Sequence, residues 1–111
     1  MKKIIFLILI FFTTVLNVQA EEIKRIIVGN EDAKITIIAF ESLTCSHCAS
    51  FHEKVYPDLK KDFIEKGLVK IEFRNFPLDM AALNASKIAH CKNDGNSKIL
   101  HMLYEKQTCL L

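Results

Sequence analysis

The chain has 111 residues, half of them hydrophobic, with 15 lysines and arginines against 13 aspartates and glutamates, and four cysteines. Lys2 and Lys3 carry the whole excess of +2, so the rest is formally neutral and offers no electrostatic footprint for a nucleic acid or an anionic membrane. The length suits one small domain, and four cysteines are too sparse for a fold stapled by disulfides.

Residues 1–20 have the layout of an export signal: Lys2-Lys3, an apolar core from Ile4 to Phe12, and Val18-Gln19-Ala20 as a small-residue cleavage site before Glu21. The core is shorter than the roughly 20 residues of a spanning helix, and Thr13, Thr14, Asn17 and Gln19 break up the apolar character between Phe12 and the cleavage site. Export would leave a chain of residues 21–111 in a compartment that permits disulfides.

Glu21 to Asp32 is a lead-in whose Ile26-Ile27-Val28 can form a short edge strand, closed by a Gly29-Asn30 turn. Ile35 to Phe40 is almost continuously apolar and β-branched, which predicts a central strand covered on both faces of a parallel sheet. Cys45-Ser46-His47-Cys48 comes next, at a strand-to-helix turn. There the unpaired N–H groups and the dipole of a helix start favour a thiolate, and His47 as imidazolium would add to this.

Cys48, Phe51, Val55, Leu59 and Phe63 recur at helical spacing and predict a buried stripe, with a kink at Tyr56-Pro57 and a stop at Gly67. Val69, Ile71 and Phe73 alternate with Lys70, Glu72 and Arg74 as a half-exposed strand ending at Asn75-Phe76-Pro77. Together these make a βαβ unit with the dithiol at the carboxyl end of its first strand. Asp79 can cap a helix to about His90 with Met80, Leu83, Ile88 and Cys91 partly on one face, and residues 93–96 read as a turn. Ser97 can cap the next helix, which runs to about Gln107 with Ile99, Leu100, Met102 and Leu103 as its apolar face; Thr108-Cys109-Leu110-Leu111 adds no closing element.

A CxxC pair by itself fits redox exchange and half of a zinc site equally. The other potential ligands, His47, His52, Cys91, His101 and Cys109, form no second CxxC or HxxxH pair, and export with the helix-start position favours redox. Cys45, at the helix start and toward solvent, is then the attacking or attacked sulfur; Cys48, one turn in, resolves the mixed disulfide, with no metal or organic cofactor. Cys91 and Cys109 can pair, or Cys91 can serve as a small buried apolar residue. His52, His90 and His101 read as solvated or packed helix residues, and Glu41 as a surface carboxylate.

The run Gly29-Asn30-Glu31-Asp32-Ala33-Lys34, Ile35 to Phe40 and Thr44-Cys45-Ser46-His47-Cys48 resembles the DsbA-type thiol–disulfide oxidoreductases of the thioredoxin superfamily. Phe51-His52, Tyr56-Pro57, Phe73-Arg74-Asn75-Phe76-Pro77-Leu78 and the segments Ala89-His90-Cys91 to Glu105-Lys106-Gln107 extend the resemblance over Val28 to Gln107. It implies an α/β fold in which the thioredoxin-like βαβ unit is followed by helices of the DsbA-type insertion, beginning over residues 79–107. It also implies catalysis by Cys45 and Cys48, tuned by Ser46 and His47, with Ser46 standing where the family has proline. Client proteins with free cysteines, a partner that reoxidises the dithiol and a periplasmic location are implied as well.

Relatives continue through further helices, a cis-proline loop facing the dithiol, and last strands and a helix, so the C-terminal half of the fold is expected to be missing here. Neither Pro57 nor Pro77 matches the cis-proline position. A strand left unpaired would favour dimerisation. The other readings are a truncated, weakly active or inactive fragment of such an enzyme and an exported thiol- or zinc-binding module.

Overall fold

The structure, a computed structural model, describes residues 21–107. The expected signal sequence and the tail with Cys109 lie outside the described residues. Strand β1 (Ile26–Val28) ends at Gly29, whose φ of +117° excludes a side chain on two grounds: the backbone is left-handed, and a Cβ would meet the Val69 carbonyl oxygen at 2.9 Å. Strand β2 (Ile35–Glu41) leads into the dithiol turn, and helix α1 (Ser46–Lys54) comes after it.

The chain breaks at Val55, restarts as a one-turn helix α2 (Tyr56–Leu59) with Pro57 in its first turn, and continues through a π-helical turn over Lys60–Ile64. That turn is closed by Glu65 N–H donating to the Lys60 carbonyl at 2.8 Å. The break and the wider turn each disturb the 3.6-residue period. The expected stripe is therefore corrected at two positions: Val55 and Phe63 are about half exposed, and their successors Tyr56 and Ile64 are buried in their place.

Strand β3 (Val69–Asn75) pairs parallel to β2, from Ile35 opposite Val69 to Glu41 opposite Asn75, and antiparallel to β1. The sheet order β1-β3-β2 makes β3 the centre and β2 an edge among the described strands, which corrects the placement expected from composition. One sheet face, carrying Ile26, Ile37, Ala39, Val69, Ile71 and Phe73, lies under the helices; the other carries Ile27, Ile38 and Phe40, all exposed. β2 is thus covered on one face, not two. On the open face Glu72 is buried by the guanidinium of Arg74, which bonds it at 2.8 Å, with Arg25 at 3.8 Å.

Helix α3 (Met80–Ala89) is capped by Asp79, whose Oδ1 accepts from Ala82 N–H at 2.7 Å. Its buried face is Ala82, Ala85, Ser86 and Ala89, while Met80, Ile88 and Cys91 are exposed. The small side chains let helix α4 (Lys98–Glu105) approach and seat Leu100 and Leu103 in the shared core, so the expected large-residue face and a buried Cys91 are both corrected. Ser97 stands at the N-cap of α4 without bonding through its side chain; Asn96 Oδ1 accepts the Lys98 N–H instead, at 2.8 Å. Asn93, with a φ of +47°, accepts from Lys24 N–H at 2.6 Å and ties the lead-in to the α3–α4 loop. No described helix is long and apolar enough to cross a membrane.

Candidate active site

Glu41 ends β2, and Ser42, Leu43 and Thr44 carry the chain to Cys45, the N-cap residue of α1, in extended conformation with φ −86° and ψ 116°. A tight turn makes this reversal: Cys45 N–H donates to the Ser42 carbonyl at 3.0 Å. Ser42 Oγ accepts from the Leu78 N–H at 3.3 Å, and Thr44 Oγ1 donates to Asp79 Oδ2 at 2.6 Å, so the capping residue of α3 also holds the dithiol turn. From the far side Gln107 Nε2 donates to the carbonyls of Leu43 and Cys45 at 2.9 and 3.0 Å.

Cys45, Cys48 and Cys91 are free thiols, the first two half-buried. The backbone N–H of Cys48, then its thiol, and then the backbone N–H of His47 favour the Cys45 thiolate and lower its pKa from the ordinary thiol value, against partial burial and the charge of Glu41. His47 acts on Cys45 through its main chain; its side chain is exposed, and Ser46 is exposed beside it. Burial raises the pKa of Cys48, with the Ser42 N–H opposing and Cys45 and Glu41 adding to the rise. The two sulfurs therefore differ in the sense that exchange needs: the surroundings shift one toward the thiolate and the other toward the thiol.

Beneath them lies a buried polar chain that no spacing in the sequence marks. Because Glu41 shares the strand parity of Ile37 and Ala39, its side chain points under α1, where it is only 9% exposed, and Oε2 meets His52 Nε2 at 2.7 Å. That corrects the expectation of a surface carboxylate. His52 Nδ1 meets His101 Nδ1 of α4 at 3.1 Å, and Tyr104 stacks on the His52 ring at 3.9 Å between centroids. With His52 Nε2–H donating to the carboxylate, a single hydrogen lies between His52 Nδ1 and His101 Nδ1, and the protonation of the two rings decides which of them donates it. His101 Nε2 and Tyr104 Oη are then buried without partners. Burial, followed by the neighbouring His52 and Lys60, lowers the His101 pKa to about 4, and burial drives Tyr104 far above the ordinary phenol range.

His52 and His101 are thus packed, as expected of helix residues, but against each other. A cleft of about 820 Å³ opens between α1–α2 and α4, lined by His52, Tyr56, His101 and Tyr104 among others; neither Cys45 nor Cys48 lines it. No three His, Cys, Asp or Glu side chains gather as a metal site among the described residues.

A parallel βαβ unit with a CxxC pair where its crossover helix begins is a thioredoxin-like arrangement. The family model described as thioredoxin matches residues 21–109. A Rickettsia bellii protein provisionally named a protein-disulfide oxidoreductase is 38% identical over 82 residues, covering 73% of this chain and 32% of its own length. Disulfide bond formation protein D of Bacillus subtilis is 31% identical over 86 residues, covering 73% of this chain and 39% of its own. The crystal structure of Wolbachia pipientis alpha-DsbA1 superposes with a TM-score of 0.70 at 30% identity, over 86% of this chain and 47% of that one.

The chain belongs to the thioredoxin superfamily, in its DsbA-type branch. It spans about a third of the length of the curated relatives it matches and just under half of the Wolbachia chain.

Proposed function

We propose that this protein is an exported thiol–disulfide oxidoreductase that passes a disulfide from Cys45 and Cys48 to client proteins with free cysteines. The split between the two sulfurs carries the reading: main-chain donors favour the thiolate at Cys45, whereas burial favours the thiol at Cys48. A client thiolate attacks Cys45 Sγ of the oxidised pair, forming the mixed disulfide as the Cys45–Cys48 bond breaks. The leaving electron pair settles on Cys48 Sγ, which takes a proton. A second client thiolate attacks the client sulfur of the mixed disulfide and releases Cys45 as a thiolate. The client loses two electrons and two thiol protons; the pair gains the electrons and keeps one proton, at Cys48. Stabilising the Cys45 thiolate stabilises the reduced pair and so makes its disulfide the stronger oxidant.

No metal or organic cofactor takes part in this cycle, and a separate redox partner restores the disulfide. The Lys2-Lys3, Ile4–Phe12 and Val18-Gln19-Ala20 pattern supports delivery to the periplasm. Residues 79–107, two helices laid beside the βαβ unit, are read as the start of the helical insertion. The exposed edge β2 supports pairing of two copies.

The test is to mix the oxidised full chain with a reduced dithiol peptide. Cys48→Ser, which cannot close the Cys45–Cys48 disulfide, should oxidise the peptide no faster than the background, and Cys45→Ser should oxidise nothing. Peptide oxidation by Cys45→Ser at the unmodified rate would refute the proposal.

A further inference from the structure

Gln107 is 5% exposed and follows the last turn of α4, yet both hydrogens of its side-chain amide are spent on the dithiol turn, 62 and 64 residues away in sequence. The Cys45 carbonyl accepts twice, from Gln107 Nε2 at 3.0 Å and from the Ala49 N–H that opens α1 at 3.1 Å. A carbonyl with two donors is fixed in direction, and with it the Cys45–Ser46 peptide plane from which α1 starts. The N–H groups of His47 and Cys48 that favour the Cys45 thiolate belong to that first turn. Leu43, the other acceptor, is 1% exposed, so its carbonyl has little access to water should Gln107 be removed.

We propose that Gln107 is a positioning residue for the dithiol: by holding the Leu43 and Cys45 carbonyls it keeps the main-chain donors of α1 converged on the Cys45 sulfur. The inference rests on the thiol–disulfide exchange proposed for the pair, because only exchange makes that convergence functional. It also gives α4 a role at the site, since its packing against α1 sets where the amide falls. The distance between amide and sulfur in sequence explains why no motif marks it.

The experiment compares the full chain with Gln107→Met, which keeps the shape and removes the donors, and with Gln107→Glu, which turns them into acceptors. The Cys45 alkylation midpoint is measured against pH, and the equilibrium of the pair against a glutathione series. In both variants the midpoint should rise toward that of a free thiol. The equilibrium should move about tenfold toward the oxidised pair, or about 30 mV for a two-electron couple. A midpoint and an equilibrium unchanged within twofold, in a variant whose circular dichroism matches the parent, would overturn the proposal.

Two further outcomes are distinguishable. If the parent never equilibrates with glutathione, the exchange reading fails, and the alkylation midpoints alone decide the role of Gln107. If both variants unfold, hydrogen exchange of the Gln107 side-chain amide in the reduced parent decides: protection supports the clamp, and solvent-like exchange rejects it.

Discussion

On the sheet face turned toward the helices Ile26, Val69, Ile71 and Phe73 are at most 5% exposed, whereas on the opposite face Ile27, Ile38 and Phe40 stand 40–62% exposed. Both sets are apolar and belong to the same three-stranded sheet. What separates them is parity along each strand, together with the side on which the crossover helix and α4 lie. The candidate site belongs wholly to the covered face: Glu41 is the last β2 residue of that parity, and it reaches His52 only because α1 returns over the same side.

Truncation of side chains should break this contrast most visibly. Ile71→Ala, at a fully buried position, should cost about 2–5 kcal/mol in denaturant unfolding, while Ile38→Ala should stay within about 0.5 kcal/mol. Equal costs would mean that the open face is covered in solution. Glu41→Ala is next: with its acceptor gone, the buried His52 Nε2–H is left unpaired, at about 1–3 kcal/mol. The same change removes a negative charge that raises both sulfurs, so the alkylation midpoints of Cys45 and Cys48 should both fall.

Acid should sharpen the comparison, because His101 lies on the covered side and its pKa is lowered from 6.5 to about 4. Between those values the unfolded chain binds the proton and the folded chain does not, so stability falls as the pH is lowered through the window and changes no further from this group below about 4. Allowing for solvent screening of a half-buried ring, the loss is about 1–2 kcal/mol. Urea titrations at several pH values should show it, and His101→Phe should flatten it. The smallest effect is expected on the open face, where Phe40→Ser removes the ring beneath the Arg74 guanidinium, 5.7 Å from its centroid; about 0.5–1 kcal/mol is at stake.

Local chemistry was readable without coordinates. The Asp79 cap, the break before Pro57, the parallel pairing of the two strands and the dithiol at the carboxyl end of β2 each follow from a few neighbouring residues. Longer-range features were not. A continuous apolar run such as Ile35 to Phe40 hides parity, which concealed Glu41; one added residue per turn at Lys60–Ile64 moved the buried stripe from Phe63 to Ile64. On α3 the apolar content suggested a face of Met80 and Ile88, but backbone proximity selected alanines. The partners His52–His101 and Gln107–Cys45, 49 and 62 residues apart, depend on how α4 docks, which no spacing encodes.

At one end of the covered face the fold makes two neighbouring sulfurs unequal, and on that inequality the proposed exchange chemistry depends. It is read most simply from the pH dependence of alkylation at Cys45 and Cys48 in the reduced full chain, followed separately by peptide mass spectrometry. Cys45 should react with a midpoint below the ordinary thiol value of about 8.5 and Cys48 with one above it. A common midpoint near that value for both cysteines would show that the sulfurs are equivalent and the inequality wrong.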